Sequence, residues 1–190
     1  MLTQIINGRI LTPQGWLKDG SVIIRDGKIL EVTNCDLAII GADIIDAKGM
    51  YVTPGFVDMH VHGGGGRDFQ EGTPEAFNVA VNAHIKYGTT SIFPTLSSST
   101  VPMIEAAVET CDELMKDPQS PILGLHLEGH YLNPQKAGAQ RPEWIKNPDP
   151  NEYIPIVENS PCLARWDAAP ELAGALQFGK YCAEKGILPS

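Results

Sequence analysis

The chain has 190 residues, with 14 Lys+Arg against 23 Asp+Glu and a formal charge of −9. That balance, with no basic run, argues against a nucleic-acid surface, because neutralising phosphates takes clustered Lys and Arg. An anionic small substrate stays open, since one local positive pocket can outweigh an unfavourable global field. The apolar fraction of 43% suits a soluble globular protein with a sizeable core. The opening residues, MLTQIINGRI, lack the basic start and apolar stretch of a secretory signal. No run approaches the ~18 apolar residues of a membrane span. Cys35, Cys111, Cys162 and Cys182 are widely spaced without a CxxC pair, which reads as reduced, mostly buried thiols in a cytoplasmic protein.

In chain order, residues 1–53 read as a small sheet segment. Ile5, Ile6 and Ile10 surround Asn7-Gly8. Ser21–Arg25 and Lys28–Val32 flank Asp26-Gly27, a hairpin signal, because both central positions of a type I′ turn need positive φ. Ile44-Ile45 and Tyr51-Val52 are further short β runs. At Thr53-Pro54-Gly55 the character changes to alternating strands and helices. Phe56–His62 reads as a buried strand. Thr73-Pro74 reads as N-cap and first helical position. Phe77, Ala80, Val81, His84 and Ile85 follow at helical spacing, with Gly88 as the stop. Next come a strand at Ser91–Leu96, a helix carrying Ile104, Ala107, Val108, Cys111, Leu114 and Met115, and a strand at Ile122–Glu128. A polar stretch with six prolines between Pro134 and Pro161 reads as loop. A strand at Cys162–Ala169, a helix at Glu171–Lys185 and the start of another strand at Gly186–Ser190 close the chain. This alternation implies an α/β fold with parallel strands; doubly wound sheets and (β/α)₈ barrels both fit it.

Two strand ends carry chemistry. In Pro54-Gly-Phe-Val-Asp-Met-His60-Val-His62-Gly63, alternation places Asp58, His60 and His62 on one face. Two imidazoles at i and i+2 near the carboxyl end of a parallel strand can chelate one ion such as zinc. The bland alternative is two polar residues facing solvent. Gly63 to Gly66 directly after them allow close backbone approach to a ligand, or form a plain surface loop. In Ile122-Leu-Gly-Leu-His126-Leu-Glu128-Gly129, the residues Gly124, His126 and Glu128 share one face. A carboxylate on an apolar strand needs a partner, because desolvating it alone costs several kcal/mol. An ion held by His60 and His62 is one such partner; a salt bridge or solvent is the other. His126, one pleat deeper, suits hydrogen bonding around the site better than ligation. His84 reads as a half-buried core histidine. His130, Lys136 and Arg141 are weaker candidates to line a site.

Read together, these residues resemble the amidohydrolase superfamily, whose members carry a short β-sandwich, a PGFVDxHxHG strand and a metal-bearing (β/α)₈ barrel. Gly124-Leu-His-Leu-Glu-Gly129 followed by Tyr131-Leu-Asn-Pro-Gln-Lys-Ala-Gly-Ala-Gln140 is similar to N-acetylglucosamine-6-phosphate deacetylases, as are Thr89–Thr95 and Ala169-Pro-Glu171. The resemblance implies a β-sandwich segment over 1–53 and the first half of a (β/α)₈ barrel over 54–190. It implies that Glu128 ligates a divalent ion, zinc or iron, and that His60 and His62 complete a second metal position. It implies that Ala139 and Gln140 contact the amino sugar. The implied reaction is cleavage of the acetamide of N-acetylglucosamine 6-phosphate to acetate and glucosamine 6-phosphate. His130 stands where many relatives have proline, and Gln140 where some have histidine.

After the sheet segment, roughly 140 residues remain against ~250 for a usual (β/α)₈ barrel. About four strand–helix units fit. The resemblance assigns two more metal-ligating histidines, the general-base aspartate and the main phosphate contacts to later strands, so no catalytic residue is expected in this chain. The expectation is a truncated chain, inactive alone, whose open sheet edges are covered by homodimerisation. Alternatives are a dihydroorotase-like or hydantoinase-like cyclic-amide hydrolase, or a non-catalytic dimerising fragment. The former usually supply a carboxylated lysine, and no lysine here suggests one.

Overall fold

The computed structural model describes residues 1–35 and 39–190, and the chain divides into two compact units, Met1–Pro54 and Gly55–Ser190. In the first unit, β1 (Leu2–Thr12) runs antiparallel to β2 (Gly15–Arg25), and β2 antiparallel to β3 (Lys28–Thr33). β4 (Asp43–Asp46) and β5 (Tyr51–Val52) both run parallel to β1. The expected hairpin is present: Asp26 and Gly27 have φ of 50° and 78°, as a type I′ turn requires. Asn7, at φ 56°, marks a break in the β1–β2 register. Ile10, Val22, Ile23 and Ala47 are buried. Among the described residues these strands make one five-stranded sheet, and a second facing sheet is not among them.

The second unit begins with β6 (Phe56–Val61). β7 (Gly63–Gly64) and β8 (Arg67–Asp68) then pair as a miniature hairpin. The glycine run serves this hairpin. Gly65 and Gly66 turn it at positive φ, and a Cβ on Gly63 would stand 2.1 Å from the Arg67 carbonyl oxygen. Helix α1 (Pro74–Ile85) starts as its sequence predicts, with the Thr73 hydroxyl accepting the Ala76 N–H and Pro74 in the first turn. Phe77, Ala80 and Val81 are buried, and His84 Nε2 lies 2.9 Å from the Gly63 carbonyl oxygen. β9 (Thr89–Leu96), α2 (Val101–Met115) and β10 (Leu125–Tyr131) follow.

The proline-rich stretch read as loop holds a helix, α3 (Pro150–Glu158). Asp149 caps it by accepting the Asn151 N–H, and Pro150 sits in the first turn. Pro155 lies inside it, and Tyr153, Ile156 and Val157 face the core. β11 (Leu163–Ala168), α4 (Ala175–Glu184) and β12 (Leu188–Pro189) complete the unit. α4 starts four residues later than its periodicity predicts, after Gly174 at φ 86°.

The other strands of this unit form one parallel sheet in the order β12-β11-β10-β9-β6. Each strand therefore pairs with its sequence neighbour, with a helix in every connection. Among the described residues the order does not reverse. Two strand expectations need correction. Phe56–His62 is not buried: Phe56, Val57 and Met59 are 65%, 58% and 62% exposed, because β6 is an edge strand with one partner. The strand expected at Ile122–Glu128 runs three residues later; Gly124 sits at φ 156° and Ile122 makes only an isolated bridge to Ile92. Trp166 and Tyr131 stack at 5.4 Å and 15°, with Phe178 edge-on to both, at the centre of the core. Among the described residues no helix is long and apolar enough to cross a membrane.

Candidate metal centre

Three side chains from two strands converge. The Nε2 atoms of His60 and His62 are 3.2 Å apart, with rings at 89° to each other. Glu128 Oε2 lies 3.2 Å from His62 Nε2, and Oε1 lies 3.7 Å from His60 Nε2. One ligand atom from each of the three falls within 4.8 Å of the others. The geometry follows from the chain. His60 lies in β6 and His62 directly after its last residue, and the two-residue spacing aims both imidazoles to one side. β10 stays paired with β9 only as far as Leu127↔Leu96, so Glu128 emerges where the ladder parts.

The donor set fits a cation. His62 Nδ1 lies 3.1 Å from the Thr95 carbonyl oxygen and 3.3 Å from Ser97 Oγ. A carbonyl only accepts, so Nδ1 carries the proton and Nε2 presents its lone pair to the cluster. Lone pairs and a carboxylate this close repel unless a proton or a cation sits among them. All three side chains remain partly solvent-accessible, so an ion has an entry path.

Neighbouring groups hold the cluster. Gln140 bridges it: its Nε2 donates to Glu128 Oε2 at 2.9 Å, and its Oε1 accepts the Ser98 N–H at 2.7 Å. Ala139, its neighbour, is exposed on the same loop. His126 is fully buried, with Nδ1 3.2 Å from the Thr95 hydroxyl and Nε2 3.0 Å from Asp167 Oδ2. Its ring lies 5.1 Å from that of His60.

His130 is fully buried rather than lining the site, and its Nε2 lies 2.8 Å from Glu152 Oε1. Burial pushes the His130 imidazole below its ordinary pKa, against the opposing pull of Glu152. Glu152 also accepts from the Tyr131 hydroxyl at 2.9 Å and pairs with Lys146. Trp166 Nε1 donates to the Gly129 carbonyl at 2.8 Å, next to Glu128 in the chain. Arg141 stacks over Trp144 at 4.8 Å, and Lys136 is exposed.

Sequence reasoning missed Asp167, Glu152, Thr95 and the Gln140–Glu128 contact. Asp167 carries one legible signal, a carboxylate near the end of a predicted strand, as Glu128 is, here two residues after Arg165. Burial alone would raise its carboxyl, but His126, Ser190 and Arg165 overcome this and hold it below the usual carboxylate range.

Residues 43–124 match a family model described as the amidohydrolase family. The chain is 31% identical over 193 residues to an N-acetylglucosamine-6-phosphate deacetylase of Lysinibacillus sphaericus, covering 98% of this chain and 49% of that protein. It is 28% identical over 190 residues to an N-acetylgalactosamine-6-phosphate deacetylase of Escherichia coli O157:H7, covering 98% and 49%. The crystal structure of N-acetylglucosamine-6-phosphate deacetylase from Pasteurella multocida superposes with a TM-score of 0.93 at 27% identity, covering all of this chain and 50% of that one. The chain spans about half the length of the curated relatives it matches.

Proposed function

We propose that this chain, similar to amidohydrolases and to N-acetylglucosamine-6-phosphate deacetylases, carries part of a metal-dependent amide hydrolase acting on phosphorylated amino sugars. The convergence of His60, His62 and Glu128 is the observation that carries this reading. His60 and His62 would hold a divalent ion, zinc or iron, through Nε2, and Glu128 through a carboxylate oxygen. Bound there, the ion supplies polarisation of an acetamide carbonyl and easier ionisation of the attacking water. Gln140 orients Glu128 by donating to Oε2, and Thr95 fixes the His62 tautomer. Gln140 and Ala139 sit on the loop that would meet the sugar. The products are acetate and the free amino sugar phosphate. N-Acetylglucosamine 6-phosphate is the substrate of first choice. The N-acetylgalactosamine-6-phosphate relative keeps the epimer as the second.

In the same reading, residues 55–190 are four strand–helix units of a (β/α)₈ barrel, supported by their sequential strand order. Residues 1–54 are the β-sandwich segment, and the working form is a homodimer. The three buried free thiols, Cys111, Cys162 and Cys182, fit a reducing, cytoplasmic setting. The resemblance assigns the proton-transferring aspartate to no position here, so the 190 residues alone are expected to turn over no substrate. The test has two arms. Metal analysis of the purified chain should find one ion per chain after Zn²⁺ loading. Acetate release from both sugar phosphates is assayed with the complete reading frame of the gene. No ion in the chain, and no acetate with Zn²⁺, Fe²⁺ or Co²⁺, would overturn the reading.

A further inference from the structure

Thr95 lies near the end of β9 and is fully buried. It touches the histidine strand twice. Its carbonyl oxygen lies 3.1 Å from His62 Nδ1. Its hydroxyl accepts the N–H of Val61, the residue between the two histidines, at 3.2 Å. The β6–β9 ladder is irregular where Val61 faces Pro94, and there the hydroxyl gives the Val61 N–H its acceptor. The same hydroxyl stands 3.2 Å from His126 Nδ1, and His126 Nε2 stands 3.0 Å from Asp167. One side chain thus connects the strands of His62, His126 and, through His126, Asp167.

Among the described residues β6 pairs in its sheet with β9 alone. Packing contributes little there, since Val57 and Met59 are mostly exposed. We infer that Thr95 is a positioning residue of the centre. Its carbonyl selects the His62 tautomer whose Nε2 is free to ligate, and its hydroxyl sets the height of the histidine strand against His126. The inference rests on reading the cluster as a metal centre. It adds that ligand geometry depends on a residue that never touches the ion. Groups that orient ligands in this way typically change metal affinity 10- to 100-fold when removed.

The experiment compares the 190-residue chain with Thr95→Val, which keeps the shape without the hydroxyl, and Thr95→Ser, which keeps the hydroxyl. Zn²⁺ dissociation constants are read by chelator competition, beside the thermal midpoint of each metal-free protein. Thr95→Val should bind Zn²⁺ about 10- to 100-fold more weakly, with Thr95→Ser recovering most of the affinity. Equal affinity in wild type and Thr95→Val, or a serine variant no better than the valine one, overturns the inference while leaving the metal reading intact. Wild-type protein that binds no Zn²⁺ overturns the metal reading and this inference with it. Should Thr95→Val not fold, imidazole ¹⁵N NMR of the metal-free wild type decides: His62 protonated on Nδ1 supports the role, and protonation on Nε2 overturns it.

Discussion

Two strands deliver the three converging side chains, and they are held in opposite ways. β10 lies between β9 and β11, and every residue of it except Glu128 is buried. β6 lies at the sheet edge, and none of its residues is buried. The carboxylate is therefore backed by packing around its strand, whereas the His62 imidazole is held by polar contacts to the Thr95 carbonyl and the Ser97 hydroxyl. Removing the buried packing behind β10 should cost fold stability. Removing a contact on the β6 side should cost ligand geometry and little else.

The largest expected effect tests whether the two strands share one ion. Glu128→Ala should abolish stoichiometric Zn²⁺ uptake, weakening binding by more than the ~10–100-fold expected for an outer partner; metal analysis after dialysis reads it. Next comes the support behind β10. Trp166→Ala removes a fully buried indole and its bond to the Gly129 carbonyl, and should cost about 3–5 kcal/mol of stability in urea unfolding. Gln140→Leu should be milder, weakening Zn²⁺ by about tenfold with a near-normal fold, because Glu128 Oε2 loses a donor.

The pH dependence sharpens the β10 side further. Burial pushes Asp167 and Glu152 upward. His126, Ser190 and Arg165 around Asp167, and Lys146, Tyr131 and His130 around Glu152, overcome it, leaving both carboxyls below their ordinary values. Their folded values lie below the unfolded ones, so their stabilisation is present above roughly pH 4 and is lost as pH falls through the folded values. Urea midpoints measured from pH 7 to pH 3 should fall, and fall less in Asp167→Asn. Smallest of all, Met59→Ser on exposed β6 should change stability by no more than ~0.5 kcal/mol. A loss of several kcal/mol there would erase the contrast between the strands.

Much of this was legible in the sequence where local chemistry decides structure. Asp26-Gly27 dictates its turn, Thr73-Pro74 its helix start, and two-residue alternation puts His60 and His62 on one face. The parallel α/β architecture followed from the order of apolar runs. What escaped was non-local. Pro155 disguised α3, although Asp149-Pro150 carries the same cap-and-proline signal as Thr73-Pro74. Exposure of β6 was hidden because an apolar run does not reveal whether its strand is central or at an edge. Gln140 stands twelve residues from Glu128, and Thr95 more than thirty from His126 and from His62. No periodicity links such pairs; the sheet register alone brings them together.

The central claim is that His60, His62 and Glu128 hold one ion. Anomalous diffraction at the zinc edge from crystals of the Zn²⁺-loaded chain tests it most directly. The claim predicts one peak about 2.0–2.2 Å from both Nε2 atoms and a Glu128 oxygen. Density there explained by a bare imidazolium–carboxylate pair, with no anomalous signal, would contradict it.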